Sequence, residues 1–173
     1  MVKRNACVFI SGEGSNLRNL LKRSRDYNFP VSIKLVISNN PNAKGVNFTK
    51  KYSIPYLIVN TKVRNFENII LAYLKRYRIN IICLAGYMRI ISKKFLRSFG
   101  KNVINIHPSL LPKFKGLNTF KRILEERKYY RIGSFSPISL NLRIVASSHK
   151  NSDPLNRIIR KDLLKQFLLL KEK

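Results

Sequence analysis

The sequence predicts a single α/β domain with one open, mostly parallel, Rossmann-like sheet and helices on both of its faces. The first observation is length, because 173 residues can bury one sizeable core but are few for two domains. The second is a set of short apolar runs rich in β-branched residues, which are continuous, as in strands covered on both faces. The third is the alternation of these runs with helical patterns, which is typical of βαβ units.

Five predicted strands and four predicted helices account for the first two thirds of the chain. The strands are the apolar runs at residues 6–10, 33–37, 56–59, 81–84 and 103–106. The helices are residues 16–25, 43–52 and 92–99, and the segment in which Phe66, Ile69, Ile70, Tyr73, Leu74 and Tyr77 share one face. The connections between parallel neighbours are expected to be right-handed crossovers.

The last third of the chain is less regular. A helix is predicted after Gly116, and Asp153-Pro154 resembles an N-cap followed by a proline at the first helical position, which predicts a C-terminal helix. Hydrophobic alternation is poor between residues 133 and 149, where two short strands are predicted.

The charge of the chain is strongly positive, because 35 Lys and Arg outnumber 8 Asp and Glu and give a formal net charge of +27. A basic surface attracts polyanions, so a basic RNA-associated protein is one alternative interpretation. The cations are nevertheless spread along the chain, without a dense block or a separate basic tail. This pattern does not favour specific nucleic-acid binding.

Cysteine usage and the N-terminal residues indicate a cellular location. Cys7 and Cys83 each lie inside an apolar run, which predicts buried free thiols in a reducing compartment. The chain begins without the apolar region of a signal peptide, and no run approaches the roughly 18 apolar residues of a membrane span. We therefore expect a cytoplasmic protein that does not associate with membranes, and no cluster of Cys and His predicts a metal site.

The residues that follow each predicted strand carry the functional prediction, because open parallel sheets bind ligands beyond the carboxyl ends of their strands. After the first strand, residues 11–17 place Gly12, Gly14 and small polar residues before a helix, where free N–H groups and the helix dipole can hold a phosphate. The pattern is neither a P-loop nor a full dinucleotide fingerprint, so a tight structural turn is an equal alternative. Ser38-Asn39-Asn40 offers no acidic residue for a ribose, which favours a mononucleotide-sized or sugar-phosphate ligand.

Asn105 and His107 are the predicted catalytic pair, two residues apart at the end of the fifth strand and on the same side of its pleat. A neutral imidazole can transfer a proton near neutral pH, and a carboxamide N–H can stabilise a developing oxyanion, so the pair suits acyl transfer to an amine. A loop-ordering histidine with a turn-capping asparagine is the alternative. Residue types alone favour a solvated Arg89 and a surface His149.

Several separated motifs together resemble the phosphoribosylglycinamide formyltransferase family, the folate-dependent formyltransferases of purine biosynthesis. The motifs are residues 11–17, Ser38-Asn39, Gly45, Ile54-Pro55, residues 84–90, residues 105–112 and Gly116-Leu117-x-Thr119, in the family's order and near its spacing. The match extends over residues 6–128. Residues 129–173 look divergent and shortened within one formyltransferase-like domain that spans residues 1–173.

The resemblance implies an enzyme that transfers a formyl group from the co-substrate 10-formyltetrahydrofolate to the amine of glycinamide ribonucleotide, in the de novo pathway to IMP. The phosphate of the ribonucleotide would be bound by Gly14, Ser15 and Asn16. The folate pocket would be lined by Arg64, Met88, Arg89, Ile90, Ile91 and Asn105. Asn105 would donate to the oxyanion and His107 would be the general acid and base, with no metal required.

The C-terminal part departs from the family at the residue that assists the catalytic histidine. The family has an Asp in a Leu-Asp-x-Gly segment, whereas the alignment of residues 133–146 places Arg143 there and Ser136 at a strand histidine. An Arg beside the imidazole would lower the pKa of His107 instead of raising it, so reduced activity is expected. A non-catalytic remnant that binds nucleotide or folate is therefore an alternative to an active enzyme. The oligomeric state is not predicted.

Overall fold

A computed structural model describes residues 2–107 and 143–146 of the chain. The chain divides into two compact units, residues 1–105 with 146–151, and residues 106–145 with 152–173. The described elements are β1 (Arg4–Ile10), α1 (Ser15–Ser24), β2 (Val31–Ser38), α2 (Val46–Lys51), β3 (Tyr56–Ile58), α3 (Phe66–Arg76), β4 (Ile81–Leu84), α4 (Lys93–Phe99), β5 (Asn102–His107) and β6 (Arg143–Ala146). Within the described residues, no helix has the length and apolar character needed to cross a membrane.

The C-terminal predictions are tested at one segment only. The four-residue strand β6 falls inside residues 133–149, where two short strands are predicted. The helix predicted after Gly116, the helix predicted after Asp153 and His149 lie outside the described residues.

The first unit contains a parallel sheet with the strand order β3-β2-β1-β4-β5. Strand β1 lies at the centre, pairing with β2 on one side and with β4 on the other. The chain therefore moves outward from β1 to β3 and then returns to the other side of β1 to begin β4. Such a reversal leaves a crevice at the carboxyl ends of the central strands, which is where ligands bind in open α/β sheets.

One face of this sheet is covered by α3 and α4. Their buried side chains, among them Ile70, Leu74 and Phe95, form an apolar cluster with the strand residues Cys7, Phe9, Leu35, Ile37, Ile82 and Val103. The rings of Phe9 and Phe95 meet edge to face with their centroids 6.4 Å apart. Apolar burial of this kind is the main stabilising contribution, at roughly 25 cal/mol per Å² of surface removed from water.

The opposite face of the sheet is covered by α1 and α2, which confirms the prediction of helices on both faces. Both helices contact β2, and Ile10 of β1 approaches Gly45, which precedes α2. The guanidinium of Arg18 lies 5.9 Å from the ring centroid of Phe48, and this cation–π contact joins the surfaces of the two helices.

Strand β3 differs from its prediction as a strand covered on both faces. It is the edge of the sheet, and its Tyr56 and Ile58 side chains are 42% and 41% exposed, whereas Leu57 packs against the α3–α4 cluster. A continuous apolar run predicts burial on both faces, but an edge position leaves one face partly uncovered.

Helix α2 begins later than predicted, at Val46 instead of residue 43. The intervening residues form turns in which Ala43 N–H donates to Asn40 O at 3.2 Å and Val46 N–H donates to Ala43 O at 3.0 Å. The predicted helix starts at residue 43 because Ala43 fits the apolar face of the helical pattern; in the structure its buried side chain belongs to a turn. A buried turn residue and a buried helix residue look alike in a sequence.

Both cysteines are expected to resist thiol reagents in the folded protein. Both thiols are free and buried. They lie on opposite faces of the sheet, because Cys7 of β1 pairs with Ile82 of β4 and Cys83 pairs with Val8. Burial raises the pKa of Cys83 to about 12, and it also raises that of Cys7, with a smaller contribution from Cys83. Because thiolates are the reactive form, Ellman's reagent at mildly alkaline pH should label neither thiol until denaturant is added. Rapid labelling of the native chain would contradict this packing.

Candidate functional site

The turn between β1 and α1 requires glycine at two facing positions. Gly14 has φ 76°, in the left-handed region, and a Cβ added to it would lie 2.5 Å from the Cα of Gly45. Gly45 N–H donates to Gly12 O at 3.0 Å, which fixes the two loops against each other. Only glycine allows two backbones to approach so closely, so the turn after β1 is held by the loop after β2.

The N-terminus of α1 follows this turn directly. Ser15 is exposed and Asn16 is half-buried, and no side chain caps the first amides of the helix. These N–H groups have no partner within the helix, and the helix dipole adds positive potential to the same place. The exposed carboxylate of Glu13 lies 3.0 Å from the ammonium of Lys44. This arrangement has the donors that an anionic ligand requires.

Ser11 connects the loops that follow β1, β2 and β4. Its hydroxyl donates to Asn39 Oδ1 at 2.5 Å and accepts from the Met88 N–H at 2.7 Å. The side-chain amide of Asn40 donates to Ser11 O at 2.9 Å. Residues 11–16 and residues 88–91 are therefore held close together at the carboxyl edge of the sheet. The sequence analysis assigns no individual role to Ser11. The feature that could have indicated one is a small polar residue directly after a central strand.

Within residues 88–91, Met88 and Ile90 present apolar side chains to solvent, whereas Ile91 is half-buried against the α3–α4 cluster. Met88 and Ile90 are 65% and 76% exposed, which leaves their side chains free to contact a ligand. The Arg89 guanidinium lies 5.1 Å from the ring centroid of Phe66 and donates from Nη2 to Thr61 O at 3.3 Å. Arg89 is exposed, as residue types alone predicted, but its position is fixed by these contacts.

Tyr87 lies beneath this segment and contacts the sheet. Its ring meets that of Phe9 at a centroid distance of 5.2 Å in an edge-to-face arrangement. Burial raises the pKa of Tyr87, Arg89 lowers it by a smaller amount, and Glu67 raises it. The phenol is therefore neutral at physiological pH, and it serves as a packing residue for the segment above it.

Arg64, a predicted folate-pocket residue, lies in the loop before α3 and not next to residues 88–91 in the sequence. It lines a cleft of about 160 Å³ between α3 and α4, together with Lys94 and other polar side chains. Arg64 belongs to the loop before α3, and Thr61 of that loop accepts the hydrogen bond from Arg89. The structure thus links the Arg64 loop to residues 88–91 through Arg89.

Glu67 fastens the start of α4 to α3. Its Oε1 accepts from Ser92 N–H at 3.1 Å and its Oε2 accepts from the Ser92 hydroxyl at 2.6 Å. Ser92 is the N-cap of α4 and accepts from Phe95 N–H. These bonds fix the backbone directly after Ile91. Residues 88–91 are therefore held at both ends, by Ser11 before them and by Glu67 after them.

Replacing Glu67 with Gln is expected to lower the free energy of unfolding by about 1–2 kcal/mol, because the side chain loses its charge and keeps only one of the two oxygen acceptors for Ser92. Urea denaturation of the two proteins measures the difference. Glu13→Gln is the matched control, since its ion pair with Lys44 is exposed and is expected to change stability by less than about 0.5 kcal/mol. Equal effects of the two substitutions would contradict the structural role given to Glu67.

Asn105 and His107 both belong to β5, as predicted. Asn105 is half-buried and pairs with Leu84, the last residue of β4, which leads into residues 88–91. The structure describes the backbone of His107 as the end of β5 but not its side chain. The joint action of the two side chains therefore stays a prediction.

Comparisons with known proteins identify the family. The family model described as formyl transferase matches residues 4–131. Phosphoribosylglycinamide formyltransferase of Haemophilus influenzae is 39% identical over 128 residues, covering 70% of this chain and 59% of that protein. The trifunctional purine biosynthetic protein adenosine-3 of Homo sapiens is 39% identical over 127 residues, covering 71% of this chain and 13% of that protein. This chain thus spans less than two thirds of the length of either relative.

A solved structure shows the same architecture. The crystal structure of phosphoribosylglycinamide formyltransferase from Brucella melitensis matches with a TM-score of 0.70 and 29% identity, covering 97% of this chain and 93% of that one. The fold agrees with the predicted open parallel sheet. Because the family model covers well over half of the sequence and relatives share more than a third of their aligned residues with it, the chain belongs to the formyl transferase family.

Proposed function

We propose that this chain transfers a formyl group from 10-formyltetrahydrofolate to the amine of glycinamide ribonucleotide, in de novo purine biosynthesis in the cytoplasm. Relatives named phosphoribosylglycinamide formyltransferase support this choice of reaction. The observation that carries the proposal is the hydrogen bonding of Ser11, which holds the glycine turn and residues 88–91 together at one edge of the sheet.

Each half of that edge suits one substrate. Gly14, Ser15 and Asn16 form the start of α1, whose uncapped amides suit the phosphate of the ribonucleotide. Residues 88–91 present exposed Met88 and Ile90, which suit the apolar ring system of a folate. We assign Arg64, Arg89, Ile91 and Asn105 to the same folate pocket. A metal has no role in the proposal.

The proposed chemistry needs one proton carrier and one oxyanion donor. The amine of the ribonucleotide attacks the formyl carbon, and a tetrahedral intermediate forms with a negative oxygen. The Asn105 carboxamide N–H stabilises that oxygen. His107 takes the proton that the amine loses and delivers it to the folate nitrogen as the carbon–nitrogen bond to the folate breaks. The products are the formylated ribonucleotide and tetrahydrofolate.

The turnover number of this chain is expected to be low, because Arg143 aligns with the Asp that assists the histidine in the family. A cation in that place disfavours the imidazolium that forms in the reaction. Arg143→Asp is therefore expected to raise kcat by about tenfold or more, the scale of an opposite charge beside a titrating group. Arg97→Asp, an exposed residue of α4, is the control for the change in net charge. No gain from Arg143→Asp would reject the alignment of Arg143 with the family Asp.

An assay with purified chain and both substrates tests the proposed function. Formation of formylglycinamide ribonucleotide, followed by mass spectrometry at high enzyme concentration, is the expected result. Product no greater than in the enzyme-free reaction would reject the catalytic proposal.

A non-catalytic binding protein is the second candidate, and the feature that favours it is the predicted alignment of Arg143 with the family Asp. It predicts that calorimetry detects binding of glycinamide ribonucleotide or tetrahydrofolate in the absence of turnover. The net charge of +27 is the reason for testing RNA in the same experiment. RNA affinity that falls steeply with salt would support an RNA-associated function instead.

A further inference from the structure

The Ser11 hydroxyl lies where the loops after three strands meet. Ser11 is the first residue after β1, and the residue is only 9% exposed, so few water molecules compete for its hydrogen bonds. Its proton goes to Asn39 Oδ1, and its oxygen accepts from the Met88 N–H at 2.7 Å. The acceptor on Asn39 thus orients the hydroxyl so that its lone pair faces Met88.

The bond to Ser11 is the anchor at the start of the 88–91 segment, whereas Arg89 and Ser92 are held by contacts further along it. The preceding strand ends with Ala85 N–H donating to Phe9 O at 2.9 Å, after which Gly86 adopts φ 77° and turns the chain away. Met88 and Ile90 are mostly exposed, so their own packing does little to hold the segment. The bond to Ser11 therefore fixes the start of the 88–91 segment.

The glycine turn, in contrast, is held by contacts that do not involve the Ser11 hydroxyl. Gly45 N–H bonds to Gly12 O at 3.0 Å, and Gly14 packs directly against Gly45. The Ser11 carbonyl also keeps its bond from Asn40 when the hydroxyl is removed. Loss of the hydroxyl should thus disturb one side of the site and leave the other in place.

We propose that Ser11 is a positioning residue that sets the 88–91 segment against the phosphate-binding turn. This proposal rests on the proposed function, because it assigns the segment to the folate side of the site. In this role Ser11 acts through the backbone of Met88 and not on the reacting atoms. The expected consequence of its removal is weaker folate binding with little change in binding of the ribonucleotide.

Steady-state kinetics of Ser11→Ala test the proposal. Loss of one buried hydrogen bond predicts a rise of about tenfold in KM for 10-formyltetrahydrofolate and a change below about twofold in KM for glycinamide ribonucleotide. Ser11→Thr keeps the hydroxyl and is expected to restore the folate KM. Ser24→Ala is the matched control, because the half-buried Ser24 hydroxyl bonds to Leu21 O at the far end of α1. Equal changes in both KM values, or failure of Thr to restore the folate KM, would overturn the proposal.

Amide hydrogen exchange tests the same proposal without any substrate. Ser11→Ala is expected to accelerate exchange of the Met88 amide by about tenfold and to leave the amides of β1 and β4 unchanged. Should Ser11→Ala fail to fold, Asn39→Ala removes the acceptor that orients the hydroxyl and is expected to accelerate the same amide. Unchanged exchange at Met88 would overturn the positioning role even if the enzyme is active. Accelerated exchange in a chain without formyl transfer would reject the proposed function and keep the positioning role.

Discussion

Gly14→Ala is expected to lower the free energy of unfolding by about 2–4 kcal/mol, because two costs combine at this position. Gly14 has φ 76°, and an alanine held in the left-handed region costs roughly 1–2 kcal/mol. The added Cβ would also lie 2.5 Å from the Cα of Gly45, a backbone atom that no side-chain rotation can move away. The backbones must separate, so the turn that is proposed to bind phosphate is displaced as well. Urea denaturation measures the loss of stability, and the KM for glycinamide ribonucleotide measures the displacement.

Gly86→Ala separates these two costs. Gly86 has φ 77°, nearly the same as Gly14, but a Cβ added there meets nothing within 4 Å. It therefore carries only the conformational cost of the left-handed region. The difference in unfolding free energy between the two variants reports the close approach of Gly14 to Gly45. Equal destabilisation by the two substitutions would mean that the loops after β1 and β2 are not in contact as described.

The sheet was predictable because its strands bury residues without interruption. The predicted and the observed bounds of strand β4 are the same, Ile81–Leu84, because Asn80 and Gly86 flank a short apolar run. The helices were predictable from apolar periodicity, which places Ile70 and Leu74 of α3 on the core face. The edge position of β3 was not predictable, because it depends on which strands pair and not on what any strand contains.

The two loops of the candidate site were predictable, but the hydrogen bonds between them were not. The rule that ligands bind at the carboxyl ends of parallel strands led to residues 11–17, and the family resemblance led to residues 88–91. The structure joins the two segments through the bond from Met88 N–H to Ser11. Which atoms bond depends on strand register, and the register of β1 on β2 shifts between Ala6 and Cys7. No pattern in the sequence reveals such a shift. The contacts of Ser11 with Asn39 and Met88 therefore became visible only in three dimensions.

Removal of the proposed acid–base group is expected to have the largest effect on the reaction. His107→Ala should lower kcat by about 10²–10⁴-fold, the usual contribution of a positioned proton carrier. Asn105→Ala should lower kcat by about 10²–10³-fold, the usual cost of a lost oxyanion donor. Neither side chain is proposed to bind the ribonucleotide, so its KM should stay within about threefold. Initial rates at saturating concentrations of both substrates give kcat for each variant.

The chain provides its own control for this experiment, because it has only two histidines. His149→Ala makes the same chemical change at the residue predicted to lie on the surface, and kcat should remain that of the parent chain. The double variant of Asn105 and His107 should lose less than the product of the two single losses, because both groups act on one tetrahedral intermediate. A His107→Ala variant with the parent kcat would show that a different group moves the proton. The catalytic role predicted for Asn105 and His107 would then be wrong, while the fold and the positions of the two loops would stand.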